Sequence, residues 1–495
     1  MLLVCVVLKV TGFAGPVAAE YHADAAQAGP AARLPTGTTK QPGTSAAAAD
    51  PVASPDQREQ DDMANGEDAG FLPQWRLKTE GVIGPDERLP AGQTLLAGIQ
   101  HVVAMFGSTA IAPILMGFNP NIAILFSGIG TLIFFLCVRG RVPSYLGSSF
   151  AFIAVVIAAT GYAGSGPNLN IPVALGGIIA AGALYTLIGL VVQAAGYAWV
   201  EKLMPPVVTG AIVAAIGLNL APVAVKAVSG AALDTWVGLL TVVAVGLVAV
   251  RAPGMIGRLP VLIGGLAGYL AYYLGTNVMG LGKPIDFSGV AAASWFGMPA
   301  FTAPTFELNA MLLIAPVAIV LVAENLGHIK AIGVMTGRNL DPYIGRAFIG
   351  DGIATMLSAS GGGTGVTTYA ENMGVMAVTK IYSTLIFVVA AAVAILLGFS
   401  PKFGALILTI PGPVIGGLTI VVFGLIAATA GRIWVQNHVD FSSSRNLITV
   451  GATLTVAAGD LTLKLGGMTL GGIGTATFGC ILLYHLLGEG NREED

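Results

Sequence analysis

The stretch TLLAGIQHVVAMFGSTAIAPILMGFNPNIAILFSGIGTLIFFLCV, residues 94–138, contains no Asp, Glu, Lys or Arg. A helix needs about 20 consecutive apolar residues to span a bilayer, so this stretch is long enough to cross it twice. A second uncharged stretch comes directly after it, at residues 142–200. The first part of the chain is therefore predicted to form helices in lipid.

The composition of the whole chain points the same way. Of its 495 residues, 55% are hydrophobic and only 10% are charged. Soluble domains carry about a quarter charged residues, so this chain has too few to cover a surface exposed to water. The net charge of -3 gives no reason to expect a nucleic-acid partner. The three cysteines have no metal-site or disulfide spacing, and no metal is predicted.

The N-terminal region differs from the rest. Residues 1–74 are predicted to be a disordered extension, because residues 22–70 show no apolar periodicity. The first 19 residues resemble a signal peptide, but their basic residue, Lys9, lies inside the apolar run. The alternative is a start site placed too early, with Met63 as the true start. Residues 75–90 are predicted to be a cytoplasmic lead-in.

The remaining chain alternates apolar runs with short charged loops. Further runs lie near residues 205–225, 235–250, 259–280, 308–329, 346–360, 381–400, 403–430, 446–459 and 470–487. Two shorter segments, near residues 145–160 and 363–382, are interrupted by Gly, Ser and Thr. Counting all of them gives about fourteen crossings. Hydropathy alone would also allow about twelve.

The arginines test this count. With fourteen crossings and both termini in the cytoplasm, every arginine after residue 95 falls on the cytoplasmic side, as the positive-inside rule requires. These arginines are Arg139, Arg141, Arg251, Arg258, Arg338, Arg346, Arg432, Arg445 and Arg492. The arrangement predicts a multi-pass protein of the bacterial inner membrane. Residues 281–307 would form an external loop and residues 489–495 a cytoplasmic tail.

An internal repeat supports two related halves. Pro206, Val207, Gly210, Gly217 and Leu218 recur, each 207 positions later, as a second set. That set is Pro413, Val414, Gly417, Gly424 and Leu425. The two sets lie in the fifth and twelfth predicted crossings, an odd number apart, which gives the halves opposite orientations. We therefore predict two inverted seven-helix repeats, residues 91–280 and 308–488, with a binding site between discontinuous helices.

The two interrupted segments are the predicted site of those discontinuities. They read Tyr145-Leu-Gly-Ser-Ser-Phe-Ala-Phe152 and Gly365-Val-Thr-Thr-Tyr-Ala-Glu-Asn372. Irregular backbone at membrane depth must line a cavity or be buried in protein. Each segment is predicted to form a short strand followed by a half-helix, and the two strands to be antiparallel. The alternative is a pair of weakly apolar helices that merely pack.

Three ionisable residues lie within the predicted crossings. Glu324 and His328 end the eighth crossing and share one helical face, and Glu371 lies in the tenth. Charged groups inside a membrane are costly and mark transport pathways. A carboxylate near a histidine can exchange protons, and a second carboxylate can accept hydrogen bonds from ring N–H groups. The alternative is that Glu324 and His328 cap a helix at the interface. Asp351 is interpreted as a helix-start or gating residue.

Four motifs carry a family resemblance. They are Gln100-His101-Val-Val-Ala-Met-Phe-Gly107, Ser148–Phe152, Ala323–His328 and Thr367–Met376. They resemble the signature stretches of the uracil/xanthine permeases, also called nucleobase–ascorbate transporters or nucleobase:cation symporter-2. The resemblance extends from about Pro90 to Leu487.

The resemblance implies an all-α membrane fold with a core domain and a gate domain, a homodimer, and proton symport of a nucleobase. The implied substrate-binding residues are Phe150, Glu324, Tyr369, Ala370 and Glu371. Glu324 and His328 are implied in proton coupling, and the implied supporting residues are Gln100, His101, Ser149, Asn372 and Phe423. Gln100 and His101 are expected to hold helices together by hydrogen bonds. Ala370 and Phe423 depart from some members, which leaves the preferred base open.

The expected cargo is uracil or another pyrimidine, with xanthine or uric acid as the alternative. A sulfate or bicarbonate carrier of similar architecture fits less well, because the paired carboxylates would repel an anion. An enzyme is not expected, since the chain has no phosphate loop, no Cys/His metal spacing and no Gly-x-Ser-x-Gly elbow. No cofactor is expected, the proton gradient being the energy source.

Overall fold

The computed structural model describes residues 70–162, 168–253, 256–465 and 468–488. The predicted N-terminal extension and Arg492 lie outside these residues, except for the last few positions of the extension. Two short strands open the described chain, β1 at Arg76–Leu77 and β2 at Glu87–Arg88. The rest of the described chain is mostly helical.

The first half contains eight helices among the described residues, with a strand before the third. They are α1 (Ala91–Met116), α2 (Pro120–Cys137), β3 (Leu146–Ser148), α3 (Ala151–Thr160), α4 (Ile171–Ala195), α5 (Ala198–Leu203), α6 (Pro206–Val228), α7 (Ala232–Arg251) and α8 (Pro260–Tyr273). A π-helical turn, Leu274–Val278, extends α8.

A short helix, α9 (Ser288–Ala292), precedes the second half. The elements of that half are α10 (Leu308–Ile314), α11 (Val317–Thr336), α12 (Ile344–Ser360), β4 (Val366–Thr368), α13 (Ala370–Thr379), α14 (Thr384–Gly398), α15 (Pro401–Leu408), α16 (Gly412–Gln436), α17 (Ser444–Ala458), β5 (Leu463–Leu465), β6 (Met468–Leu470) and α18 (Gly472–Leu486).

In the described part of the chain, eight helices are long and apolar enough to cross a membrane. A ninth is added if α14 and α15, bent by 83°, count as one span. Helices α3 and α18 are apolar but shorter. The chain is therefore a mostly helical, multi-pass membrane protein. The fourteen-crossing count stays a prediction.

The interrupted segments meet in the middle of the fold. Strands β3 and β4 pair antiparallel, with Gly147 opposite Thr367. Two more backbone bonds extend the pairing, from Ser149 N–H to the Gly365 carbonyl at 2.9 Å and from Tyr369 N–H to the Tyr145 carbonyl at 3.0 Å. Each strand is followed by a ten-residue helix, α3 or α13. Because the strands are antiparallel, the two half-helices leave this point in opposite directions.

Glycines allow the long helices around the strands to pack closely. Helix α6 packs on α16, where a Cβ on Gly217 would lie 2.5 Å from the Phe423 carbonyl oxygen. Helix α2 packs on α14, where a Cβ on Gly128 would lie 2.6 Å from the Ala391 carbonyl oxygen. Real side chains do not approach so closely, so larger residues at these positions would separate the helices.

The lead-in forms a defined structure, which we call the N-terminal strap (residues 75–89). Ile83 pairs with Ile381 in an isolated parallel bridge, beside the end of α13. The Trp75 indole donates to the Thr384 hydroxyl at 3.0 Å. Arg338, after α11, donates to Asp86 at 2.5 Å. The strap thus connects the loops that come after α11 and α13.

Two interpretations made from the sequence differ from the structure. Glu324 and His328 do not end their helix, because α11 continues to Thr336 at a glycine C-cap, Gly337. They therefore lie mid-helix, which excludes the interfacial-cap alternative. Asp351 does not open its helix either. It lies in the middle of α12, fully buried, so the helix-start interpretation is wrong.

Candidate functional site

One cavity of about 450 Å³ lies beside the paired strands. Its wall includes Phe150, Glu324, Tyr369, Ala370 and Glu371, the five residues expected to bind substrate. The wall is completed by residues of α1, α8 and α16, such as Ala104, Val261 and Val422. Two carboxylates, an aromatic ring and the starts of both half-helices therefore face one space.

Glu371 lies in the first turn of α13. The positive end of the helix dipole and the free N–H groups of this turn favour a carboxylate there. The Ser108 hydroxyl of α1 donates a hydrogen bond to Oε1 of Glu371. Ser108 is almost fully buried and was not among the predicted site residues.

Tyr369, the residue before α13, is held on both sides. Its hydroxyl donates to the Ser148 carbonyl at 2.9 Å and accepts from the Thr109 hydroxyl at 3.1 Å. The ring lies against Gly147, where any Cβ would collide with it. Tyr369 therefore ties the start of α13 to the opposite strand.

Glu324 projects from α11 into the cavity and has no hydrogen-bond partner among the described residues. His328, one turn later, is not on the cavity wall. Its Nδ1 lies 2.8 Å from the Thr368 hydroxyl, and Thr368 does line the cavity. His328 therefore reaches the cavity through one intervening hydroxyl.

Asn325 connects this region to the helices behind it. Its side-chain oxygen accepts from Thr368 at 3.3 Å, and its Nδ2 donates to Tyr185 at 2.9 Å and to Asp351 at 2.6 Å. The other Asp351 oxygen is buried and has no partner in the part of the chain described. Asn325 and Thr368 were not predicted as site residues, although a buried amide in a membrane helix was a usable signal.

The supporting residues differ in their hydrogen bonding. His101 accepts from Asn372 Nδ2 at its backbone carbonyl, 3.1 Å away, and its Nδ1 lies 3.0 Å from the same amide. Gln100 does not meet the expectation, because its Nε2 is buried with no partner in the described structure. Ser149 accepts from the Ala151 N–H at 3.3 Å, at the start of α3.

Phe423 does not lie on the cavity wall but contacts a residue that does. The rings of Phe150 and Phe423 meet edge-on, with centroids 5.8 Å apart. This contact joins the first half-helix to α16.

A family profile described as a permease family (Xan_ur_permease) matches residues 92–466. The chain belongs to the uracil/xanthine permease family. It is a transporter and not an enzyme. The matched range includes both half-helices and every residue named on the cavity wall.

Individual relatives agree with this family assignment. The chain is 65% identical over 422 residues to the putative pyrimidine permease RutG of Escherichia coli (strain K12), which covers 84% of this chain and 95% of the relative. It is 42% identical over 400 residues to the uracil permease of Bacillus caldolyticus, covering 78% of this chain and 89% of the relative. With the uracil permease of Escherichia coli (strain K12) it shares 37% identity over 429 residues, 84% of this chain and 97% of the relative.

Solved structures of other transporters share the fold. The transmembrane domain of the cyanobacterial bicarbonate transporter BicA matches with a TM-score of 0.54 at 18% identity, covering 74% of this chain and 95% of that one. The murine anion transporter Slc26a9 in its inward-facing state matches with a TM-score of 0.56 at 12% identity, covering 90% and 76%. At such identities the similarity concerns the fold alone.

Proposed function

We propose that this protein is a proton-coupled symporter that imports a nucleobase, uracil or another pyrimidine, across the bacterial inner membrane. One observation carries the proposal: Glu324 and Glu371 line the same cavity, where two half-helices begin. The names of the relatives, pyrimidine permease and uracil permease, indicate the chemical class of the cargo.

The cavity suits a small planar heterocycle. Its volume of about 450 Å³ exceeds that of a pyrimidine and falls in the usual range for small-molecule sites. The Glu371 carboxylate accepts hydrogen bonds from ring N–H groups. The backbone N–H groups at the starts of α3 and α13 donate to ring carbonyls. The Phe150 ring packs on the face of the base.

Glu324 is the proposed proton carrier. It lies on the cavity wall without a protein hydrogen-bond partner in the described structure, so its partners there are water, substrate or a proton. His328 comes one turn later and contacts the cavity-lining Thr368. A proton on Glu324 would let two carboxylates share a cavity without repulsion, which links proton uptake to loading of the base.

The finer architecture, fourteen crossings in two inverted repeats with residues 91–280 and 308–488 as the halves, is also a proposal. Helices α3 and α13 have the same length and each comes after a paired strand. Packed helix pairs recur between the two halves. The pair α2–α14 corresponds to the pair α12–α4, and the pair α7–α16 corresponds to the pair α17–α6. A core domain, a gate domain, a homodimer and cytoplasmic termini complete this proposal.

An anion carrier is the second candidate, because the fold neighbours include a bicarbonate transporter. The two cavity carboxylates oppose it, since an anion placed beside them would be repelled. A purine such as xanthine or uric acid offers the same N–H donors and carbonyl acceptors. The contact between Phe150 and Phe423 helps to set the size of the cavity, and cavity size distinguishes a purine from a pyrimidine.

Uptake measurements test the function. Cells that lack their own nucleobase carriers, producing this protein, are given labelled uracil, thymine, xanthine or sulfate, with and without a protonophore. We expect concentrative uracil uptake that the protonophore abolishes. Sulfate uptake without uracil uptake would refute the nucleobase assignment, and xanthine uptake alone would transfer it to a purine.

Two substitutions test the residue roles. Glu371→Gln replaces an acceptor oxygen by a donor, so binding of uracil to the purified protein is expected to be lost. Glu324→Gln is expected to remove proton-driven accumulation while binding remains measurable. Glu307→Gln, on an exposed residue before α10, is the matched control. Normal accumulation by Glu324→Gln would exclude it as the coupling residue.

A further inference from the structure

Helix α1 holds the start of α13 through three side chains. His101 contacts Asn372, Ser108 donates to Glu371, and Thr109 donates to Tyr369. These three partners surround the point where α13 begins. The polar side chains on this side of α1 therefore align the first turn of the half-helix against a long, continuous helix.

The bond made by Ser108 differs from the usual one. Serine and threonine hydroxyls in helices commonly donate to a carbonyl of their own helix, as Ser127 does to Ile124 at 2.8 Å and Thr160 does to Val156 at 2.8 Å. Ser108 instead reaches a carboxylate on another helix. Since Ser108 is only 1% exposed, it is covered by protein and does not line the cavity.

We propose that Ser108 is a positioning residue for substrate specificity: it holds Oε1 of Glu371 so that the carboxylate presents a fixed acceptor to the base. This inference rests on the proposed role of Glu371 in binding the base. A glutamate side chain is flexible, and a fixed acceptor distinguishes an N–H group from an N-methyl group more sharply than a mobile one.

The charge of Glu371 gives the bond its importance. Hydrogen bonds to ionised groups are roughly twice as strong as neutral ones, because a full charge on the acceptor attracts the donor more strongly. Without Ser108, the carboxylate can rotate away from the base and bind water in the cavity. Affinity for uracil then falls, and discrimination between uracil and its N-methyl derivatives falls with it.

The experiment compares binding of uracil, 1-methyluracil and 3-methyluracil to the purified full-length protein. Wild-type protein is expected to reject the derivative whose methyl group replaces the N–H that faces Glu371. In Ser108→Ala, uracil is expected to bind about tenfold more weakly, the size of one lost charge-assisted bond, and the preference for uracil over that derivative is expected to shrink. Ser108→Thr, which keeps a hydroxyl, is expected to retain the preference.

Matched measurements separate positioning from structural support. Ser229→Ala, which alters an exposed serine directly after α6 that donates to the Val225 carbonyl, is expected to behave as wild type. Wild-type affinity and discrimination in Ser108→Ala would overturn the proposal, as would a loss of thermal stability with discrimination unchanged. If Ser108→Ala does not accumulate in the membrane, loss of the preference in Ser108→Thr would overturn it. Absence of nucleobase binding by the wild-type protein would instead refute the proposed function.

Discussion

Replacing Asn325 by alanine removes the residue that joins α11, α12, β4 and α4. Three hydrogen bonds disappear: those to Tyr185, Asp351 and Thr368. Two of the partners keep another bond, because Tyr185 still donates to the Leu321 carbonyl at 3.3 Å and Thr368 still contacts His328. Asp351 loses its amide donor and keeps only its interaction with the Tyr185 hydroxyl in the described structure, because its second oxygen has no hydrogen-bond partner there.

The loss of stability depends mainly on Asp351, because Tyr185 and Thr368 each keep another hydrogen bond. An ordinary hydrogen bond contributes about 1 kcal/mol, whereas a buried carboxyl that loses its amide donor costs about 1–3 kcal/mol. We expect Asn325→Ala to lower the free energy of unfolding by about 3 kcal/mol, well beyond the ±0.5 kcal/mol or so of a surface substitution. In a protein of this size the melting temperature is expected to fall by about 3 °C.

The assay is thermal unfolding of the purified protein in detergent, without substrate. Asn437→Ala is the matched control, because Asn437 is exposed, directly follows α16, and its Nδ2 donates to the Ile433 carbonyl. The double variant Asn325→Ala/Asp351→Ala is expected to be less destabilised than the sum of the single variants, since the buried carboxyl that lost its donor is then absent. Equal melting temperatures for Asn325→Ala and Asn437→Ala would refute the reasoning.

Two further predictions concern backbone positions. Gly147→Ala is expected to abolish uptake, because the new Cβ would collide with the Tyr369 ring. Gly246→Ala is the control and is expected to transport normally, because no described atom lies within 4 Å of its new Cβ. Normal uptake by Gly147→Ala would show that the ring can move freely. Deleting residues 2–69 is expected to leave uptake unchanged. Deleting residues 2–89 is expected to abolish uptake, because it also removes the N-terminal strap and its bond to Arg338. Equal uptake by the two deletions would show that the strap is dispensable.

Much of the membrane architecture could be read from the sequence because lipid imposes simple rules. Spans must be apolar and about 20 residues long, so the runs around α1, α2, α4, α6 and α16 were visible in the sequence. Their ends were less visible. The polarity of Glu324 and His328 predicted the end of a crossing there, but the helix continues to Thr336.

The candidate site was only partly predictable for a related reason. Sequence patterns identify ionisable residues in apolar runs, and Glu324 and Glu371 stand out in this way. They do not show which hydroxyls will approach those carboxylates from distant parts of the chain. Ser108 lies 263 positions before its partner Glu371. Serine is common in membrane helices, so nothing local marked this one.

The shared fold leaves the cargo open, and in our proposal the side chains at the half-helices determine it. A helix N-terminus attracts anions, and a fold with two such termini facing a cavity suits anion transport. In this protein one of the two positions is occupied by the chain's own carboxylate, because Glu371 lies in the first turn of α13 and faces the cavity. The positive end of that helix is thereby neutralised, and Glu324 adds a second acceptor to the same wall. Two carboxylate acceptors on an otherwise largely apolar wall favour a ligand that carries N–H donors, which agrees with the proposed nucleobase cargo and disfavours a free anion.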